Sequence, residues 1–322
     1  VEEKITGGTL RLSCRLEKED GTLVVDGMAL VTPPPVRIVT DGVVIPEISL
    51  APRGKFSRLL AACRNLPSMP TAIAAPTDDA SLGGAWEATK EGLIEPILVG
   101  PEAKIRAEAE KIGWDLAGVR IEDVADAHDA PARAVCLVHE GKAEAVMNGN
   151  IHSDEVLRHV TKSDGGLRAG RRISHAFVLD IPGHDGLMVI SDAAINILPD
   201  LMTKADIVQN AIDLARAIGI EEPRVGVLSA VETINPAIPS TVDAAALAKM
   251  AERGQIKGGL VDGPLAMDNA VDLEAARTKG IHSTVAGRAD VVIAPSLEAG
   301  NMMAKQLVFL SQADTGGIVL GA

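Results

Sequence analysis

At 322 residues, 47% of them hydrophobic, the chain is longer than one hydrophobic core usually serves, so two domains, or one domain with appendages, are expected. A formal net charge of -13, 2% aromatic residues and no Tyr exclude the basic, stacking surface that nucleic acid requires. An anionic small ligand stays admissible wherever Arg and Lys gather locally against the general field.

The first stretch, GGTLRLSCRLEKEDGTLVVDGMALVTPPP, alternates Leu10, Leu12, Cys14 and Leu16 with polar residues, turns at EDGT and resumes a strand pattern from Leu23 to Val31. This predicts a β-hairpin. A lone hairpin is marginal in water, so residues 1–35 read as the edge of another domain with Pro33, Pro34 and Pro35 as its linker; pairing of the hairpin with the main sheet is the alternative. From about Ser57 helix and strand alternate. A helix over 56–65 leads to the strand TAIAAP, the helix SLGGAWEATKEGL and the strand PILVG; helices over 103–112 and 129–140 then precede the strand AEAVMN. A second series starts near His175: strands AFVLDI and GLMVISD, the long amphipathic helix MTKADIVQNAIDLARAIGI, the strand RVGVLSA and the helix TVDAAALAKMAERG. The strands GGLVDG and DVVIAPS, a helix over 300–311 and the strand GGIVLG complete it. The rhythm is that of α/β domains with parallel sheets covered on both faces, divided near the Gly-rich, basic stretch GGLRAGRRIS at 165–174. Cys14, Cys63 and Cys136 are odd in number and far apart; they fit a reduced cytoplasmic compartment and neither a zinc ribbon nor a disulfide framework. No apolar run reaches transmembrane length and no basic-then-apolar signal opens the chain, which again predicts a cytoplasmic protein.

Ligands of such sheets settle at the carboxyl ends of the strands. One such end is NGNIHSDEVLR (148–158): a short apolar strand runs into Gly149, which permits a sharp bend, then Ser153 suits an N-cap and Asp154 and Glu155 suit the first helical turn. The polar strand ends together are Asn148, Asn150 and His152; Asp192 and Asn196; Ser229, Glu232 and Asn235; Asp262; and Glu298 and Asn301. Neither a G-x-G-x-x-G after a strand nor a G-x-x-x-x-G-K-[ST] occurs, and no H-E-x-x-H pair suggests a metal.

In order, NGNIHSDEVLR, ISDAAINILPD (191–200 and its lead-in), VLSAVETINPAIPST, VDGPLAMDNAV and VAGRADVVIAPSLEAGNMMAK resemble the phosphate acetyltransferase and phosphate butyryltransferase family from about Ser57 to Ala322. The resemblance implies two α/β/α domains of the isocitrate/isopropylmalate dehydrogenase type with mostly parallel sheets, and a site in the cleft between them. Domain I is expected over 36–172 and 302–322, and domain II over 173–301. It implies acyl transfer between coenzyme A and phosphate by direct thiolate attack on an acyl phosphate, with coenzyme A as a substrate, no cofactor, no metal and a homodimer. The hairpin at 9–31 is similar to the end of a MaoC-like hot-dog hydratase domain, as in bifunctional enoyl-CoA hydratase/phosphate acetyltransferases. Family members carry a Ser-Arg and then an Asp on a further segment, and these expected catalytic residues would lie beyond Ala322. On that reading the chain binds coenzyme A but turns over slowly.

Arg158 is the first candidate anion contact by resemblance, whereas spacing alone pairs it with Glu155 at i,i+3. His152, Asn150 and Ser153 accompany it as donors, and a structural hydrogen bond is the plainer role of His152. Asp192 and Asn196 line the cleft or act as caps; Ser229, Thr233 and Asn235 contact ligand from a Pro-stiffened loop or serve the turn. Asp268 is a cleft acid or a solvated one. Asn301 and Lys305 share a helix face at i,i+4, where Lys305 reaches a phosphate or snorkels. Arg168, Arg171 and Arg172 are the densest basic cluster. Two other classes stay open: an NAD(P)-dependent decarboxylating dehydrogenase using Asp262 and Asp268, which the absence of Tyr disfavours, and a non-catalytic coenzyme-A-binding fragment.

Overall fold

The computed structural model describes residues 3–4, 10–18, 20–32 and 54–322, and contacts divide the chain into two units, residues 1–50 and 51–322. In the first unit β1 (Glu3–Lys4), β2 (Leu10–Glu17) and β3 (Leu23–Val31) form an antiparallel sheet in that order. The expected hairpin is present: Leu10 stands opposite Val31, and Gly21 supplies the left-handed residue of the turn with φ 80°. Leu16, Val24, Met28 and Leu30 are exposed on it. The linker expected at Pro33–Pro35 lies outside the described residues.

The second unit opens with α1 (Lys55–Cys63) and then builds a lobe from β4 (Met69–Ala74), α2 (Asp79–Lys90), β5 (Ile94–Gly100), α3 (Glu102–Ile112), β6 (Arg120–Asp123), α4 (Ala130–His139), β7 (Ala145–Asn148) and α5 (Ser153–Val160). Its four strands are all parallel, in the order β6-β5-β4-β7. Alternate residues of β4 feed opposite faces, as the period of two demands. Ile73 packs with Leu82, Leu98 and Ile105 under α2 and α3, where Trp86 stacks on Trp114 at 6.2 Å; Ala72 and Ala74 pack with Val135 and Leu137 under α4 and α5.

The other lobe contains β8 (Ser174–Asp180), β9 (Met188–Ser191), α6 (Leu201–Ala217), β10 (Arg224–Leu228), α7 (Pro239–Glu252) and β11 (Leu260–Leu265). It continues with α8 (Met267–Val271), α9 (Leu273–Thr278), β12 (Val291–Ile293), α10 (Leu297–Leu310) and β13 (Asp314–Leu320). The sheet order is β11-β10-β12-β9-β8-β13. Helices α6 and α7 cover one face and α8 to α10 the other. Full burial of Ile207, Ile212 and Leu247 on the first face contributes about 1.5–3 kcal/mol per side chain. Among the described residues no helix is long and apolar enough to cross a membrane.

Two expectations differ from the structure. Residues 302–322 do not join the four-stranded sheet, because β13 pairs antiparallel with β8 along its whole length, from Asp314 opposite Asp180 to Leu320 opposite Ser174. Within this mostly parallel sheet, strands β8 and β9 are antiparallel, since the connection between them is too short for a crossover. Helix α1, placed in sequence with the first lobe, is anchored on the second. Its Phe56 packs into the core with α6 and α7, and Asp180 at the end of β8 accepts from the backbone N–H groups of Gly54 and Lys55 and pairs with Lys55 Nζ at 2.9 Å. The short elements β6, α8 and α9 carry too few apolar residues to announce themselves.

The Asp180 carboxyl is pushed up by burial, but the hydrogen bonds from the Lys55 ammonium and from the two N–H groups outweigh this and hold it below the ordinary carboxylate range. The bond therefore stabilises the fold above that range, and its contribution is lost as pH falls through the lowered value. Asp180→Asn is expected to cost about 3 kcal/mol in denaturant unfolding at neutral pH, because the Lys55 ammonium loses its buried counter-charge. The difference from the unmodified chain should shrink in acid.

Candidate functional site

Crossovers between parallel strands are right-handed, so the direction in which the chain moves along a sheet decides which face its helix covers. From β4 the chain moves one way to β5 and β6, while β7 lies on the other side of β4. The segments leaving β4 and β7 consequently diverge to opposite faces and open a crevice at their carboxyl ends. The structure has an open groove of about 610 Å³ there, lined from 78–81, 127–128 and 147–155.

NGNIHSDEVLR forms one wall. Its Gly149 is required by close approach and not by a left-handed φ: a Cβ would lie 2.3 Å from the carbonyl O of Ala74 and 2.6 Å from that of Ala75. This contact lays the corner across the end of β4, where Asn150 N–H donates to Ala75 O at 2.8 Å and Asn150 Nδ2 donates to Thr77 Oγ1 at 3.3 Å. Asn150 and His152 are exposed on the groove. Ser153 is not the N-cap that the sequence suggested: it is the first helical residue, and His152 holds the cap position with extended backbone and no side-chain cap bond. Asp154 and Glu155 occupy the first turn as expected. Arg158 is exposed outside the groove lining, and its partner is Asp154 at 3.8 Å, one turn back, in place of Glu155.

Glu155 is held from across the groove. Its Oε2 lies 2.6 Å from His128 Nδ1, with the imidazole 68% exposed and the carboxylate 21%. The hydrogen bond to Glu155 and then that carboxylate's charge, followed by the charges of Asp126 and Asp129, raise the His128 pKa above the usual histidine value. The other carboxylate, Asp78, caps α2 by accepting from Ser81 N–H at 2.9 Å and from the Ser81 hydroxyl. No Lys or Arg lines the groove.

In the second lobe the expected residues fall into separate clusters. Asp192 is 3% exposed, and its Oδ1 accepts from the N–H groups of His175, Ala194 and Ile195. Its Oδ2 accepts from the Asn196 N–H and side-chain amide, and Asn196 Nδ2 also reaches Ile173 O at 2.9 Å. Asn301 joins this cluster by donating to Ala193 O at 3.1 Å, while Lys305 on the same helix is exposed. Ser229 is buried against the Ser240 hydroxyl at 2.8 Å, and Thr233 is exposed in the loop beyond it. Asn235 serves that loop through Ala237 N–H and Thr241 Oγ1. Asp268 is exposed in the first turn of α8, and its charge opposes the lowering of the Glu232 pKa by that residue's own backbone hydrogen bond and then by Lys279. In the basic cluster, Arg171 pairs with Asp213 of α6 at 2.8 Å, and Arg172 N–H is held by Asp206. The two lobes meet through Ile195 of the Asp192 turn, which packs on the same apolar cluster as Ile151 of the corner, together with Val156, Val160 and Ile173. The segments that follow β7 and β9 thereby share one apolar cluster.

Sequence reasoning overlooked Asp78, Ser81 and His128. For the first two a signal existed: DDAS directly follows the strand TAIAAP, and the strand-end rule applied to Asn148 applies equally there. His128 had none, since its partner is 27 positions away.

The family described as phosphate acetyl/butaryl transferase matches residues 125–322. A phosphate acetyltransferase of Rhizobium meliloti is 58% identical over 268 residues, 83% of this chain and 85% of that protein. A phosphate butyryltransferase of Clostridium beijerinckii is 41% identical over 266 residues, 83% of this chain and 88% of the relative. Among solved structures, a branched-chain phosphotransacylase from Enterococcus faecalis V583 aligns with a TM-score of 0.67 at 27% identity, covering 79% of this chain and 88% of the other.

Proposed function

The chain belongs to the phosphate acetyltransferase and phosphate butyryltransferase family and is an acyltransferase of that type, and from this premise we propose that it exchanges an acetyl group between coenzyme A and inorganic phosphate beside the β4–β7 groove. The single observation that carries the acetyl assignment is the 58% identity with the Rhizobium meliloti phosphate acetyltransferase, against 41% for the butyryltransferase. In the reaction the coenzyme A thiolate attacks the carbonyl carbon of acetyl phosphate; the S–C bond forms, the bond from that carbon to the bridging oxygen breaks, and orthophosphate leaves with the electron pair. A thiol of ordinary pKa, about 8.5, is largely protonated at neutral pH, so a base must take its proton. The leaving phosphate needs fixed donors. Asn150, His152 and Ser153 at the positive end of α5 are suited to this role, with Arg158 one turn further along. Asp192, Asn196 and Asn301 shape the facing turn, and Ser229, Thr233, Asp268 and Lys305 are the remaining contacts of the same reading.

The dehydrogenase alternative loses its basis with the family membership. A homodimer belongs to the proposal, supported by the exposed Ile197, Leu198 and Met202. So does the kinship of the hairpin to a hot-dog hydratase domain, supported by its exposed apolar residues.

Two measurements test the reading. Acetyl phosphate and coenzyme A are expected to give acetyl-CoA thioester, reversibly with phosphate. Coenzyme A at a hundredfold excess over its Kd is expected to stabilise the fold by about 2.7 kcal/mol, while NAD leaves it unchanged. Absence of thioester together with protection by NAD overturns the proposal.

A further inference from the structure

We propose that His128 is a positioning residue for acyl transfer: as an imidazolium it clamps Glu155 and offsets that carboxylate's charge, so that an anionic substrate can enter the β4–β7 groove. The inference rests on the groove being part of the substrate site. Its geometric basis is the composition of the lining. Two carboxylates, Asp78 and Glu155, face the groove, and no Lys or Arg does. Asp78 is already engaged by Ser81 at the start of α2. Glu155 has His128 as its one side-chain bond among the described residues, and that bond spans the groove from the 127–129 turn to α5.

The charged and titratable groups around the imidazole are Asp126 and Asp129 on its own turn, Asp78 of α2, and His152, Glu155 and His159 from the α5 side. Burial lowers the His159 pKa, so it does not substitute for His128 as the cation. Arg133, on the adjoining helix α4, is committed to Glu122 and Glu140. The acids around His128 raise its pKa, so the clamp is complete at and below the usual histidine range and is lost as pH rises through the raised value. Above that point Glu155 presents an uncompensated negative charge to a phosphate.

The test is the pH profile of KM for acetyl phosphate and of kcat in the full chain and in His128→Gln, Glu155→Gln and the double variant. KM of the unmodified chain is expected to rise about sevenfold across the imidazole titration, the size given by a unit charge roughly 7 Å from a doubly charged phosphate in a solvent-like dielectric, with kcat changing less. His128→Gln should show the high KM at every pH, Glu155→Gln a flat profile at the low end, and the double variant recovery from the His128→Gln value. A bridge that is only structural would move the unfolding midpoint in both single variants and leave the double variant no better than His128→Gln, which overturns the proposal. A pH-independent KM overturns it too, even if the imidazole proton resonance of His128 titrates high and drops in Glu155→Gln. Failure of the underlying reading looks different: no acyl transfer in the unmodified chain at any pH.

Discussion

Asp192→Asn is expected to lower the thermal midpoint of the second unit by about 10 °C and to remove most acyl transfer, because the substitution turns one acceptor oxygen, which holds two or three of five buried contacts, into a donor. The carboxylate accepts from three backbone N–H groups of its own turn, from His175 N–H and from the Asn196 amide. An amide at this position must aim an NH2 group at backbone N–H donors, and only the Asn196 side-chain amide has a second acceptor, Ile173 O, to fall back on. Leaving charge-assisted bonds unmade in a site 3% exposed costs about 3–5 kcal/mol. The effect reaches function because the turn carries Ile195 onto the first lobe and receives α10, where a Cβ on Gly300 would lie 2.3 Å from the Asp192 carbonyl O. Thermal unfolding and kcat/KM together check this; a midpoint within about 2 °C of the unmodified chain would sink it, being the shift expected for less than 1 kcal/mol in a unit of this size.

Gly149→Ala should be nearly as damaging to turnover and less so to stability. The added methyl meets two backbone carbonyl oxygens, neither of which belongs to a flexible side chain. Relief requires the corner to move away from β4 by about 1 Å, a displacement that can reduce a rate about a hundredfold when it moves substrate-binding groups. Overpacking of this kind costs about 1–3 kcal/mol. Gly84→Ala on α2 is the control: its nearest neighbour to a new Cβ is Met147 Cε at 3.8 Å, and helix propensity predicts a gain of up to about 1 kcal/mol. Equal kcat/KM in the two variants would remove the corner from the substrate path.

The main strands and long helices were legible because their apolar residues repeat at the period of the element they form. The corner at 148–158 was legible as a strand-to-helix transition, although the need for Gly149 arises from Ala74 and Ala75, which no local pattern connects to it. Asp192 shows why site reading stops short: its position after a strand marks it as important, but whether its oxygens face solvent or five donors depends on His175 and on the path of 194–196. The pairing of β13 with β8 was hidden for the same reason. GGIVL suits either sheet, and only the edge left open by β8 decides between them.

The anchoring of α1 and β13 on β8 also determines the order in which this polypeptide can mature. Phe56 of α1 lies against Gly316 of β13, so two elements far apart in the sequence are neighbours, and the parallel four-stranded lobe is spliced between them. During vectorial synthesis that lobe is complete long before its host, which must wait for β13 to cover the β8 edge. A nascent chain in that interval exposes an unpaired strand and an undocked helix, the kind of surface that chaperones engage and that invites mispairing.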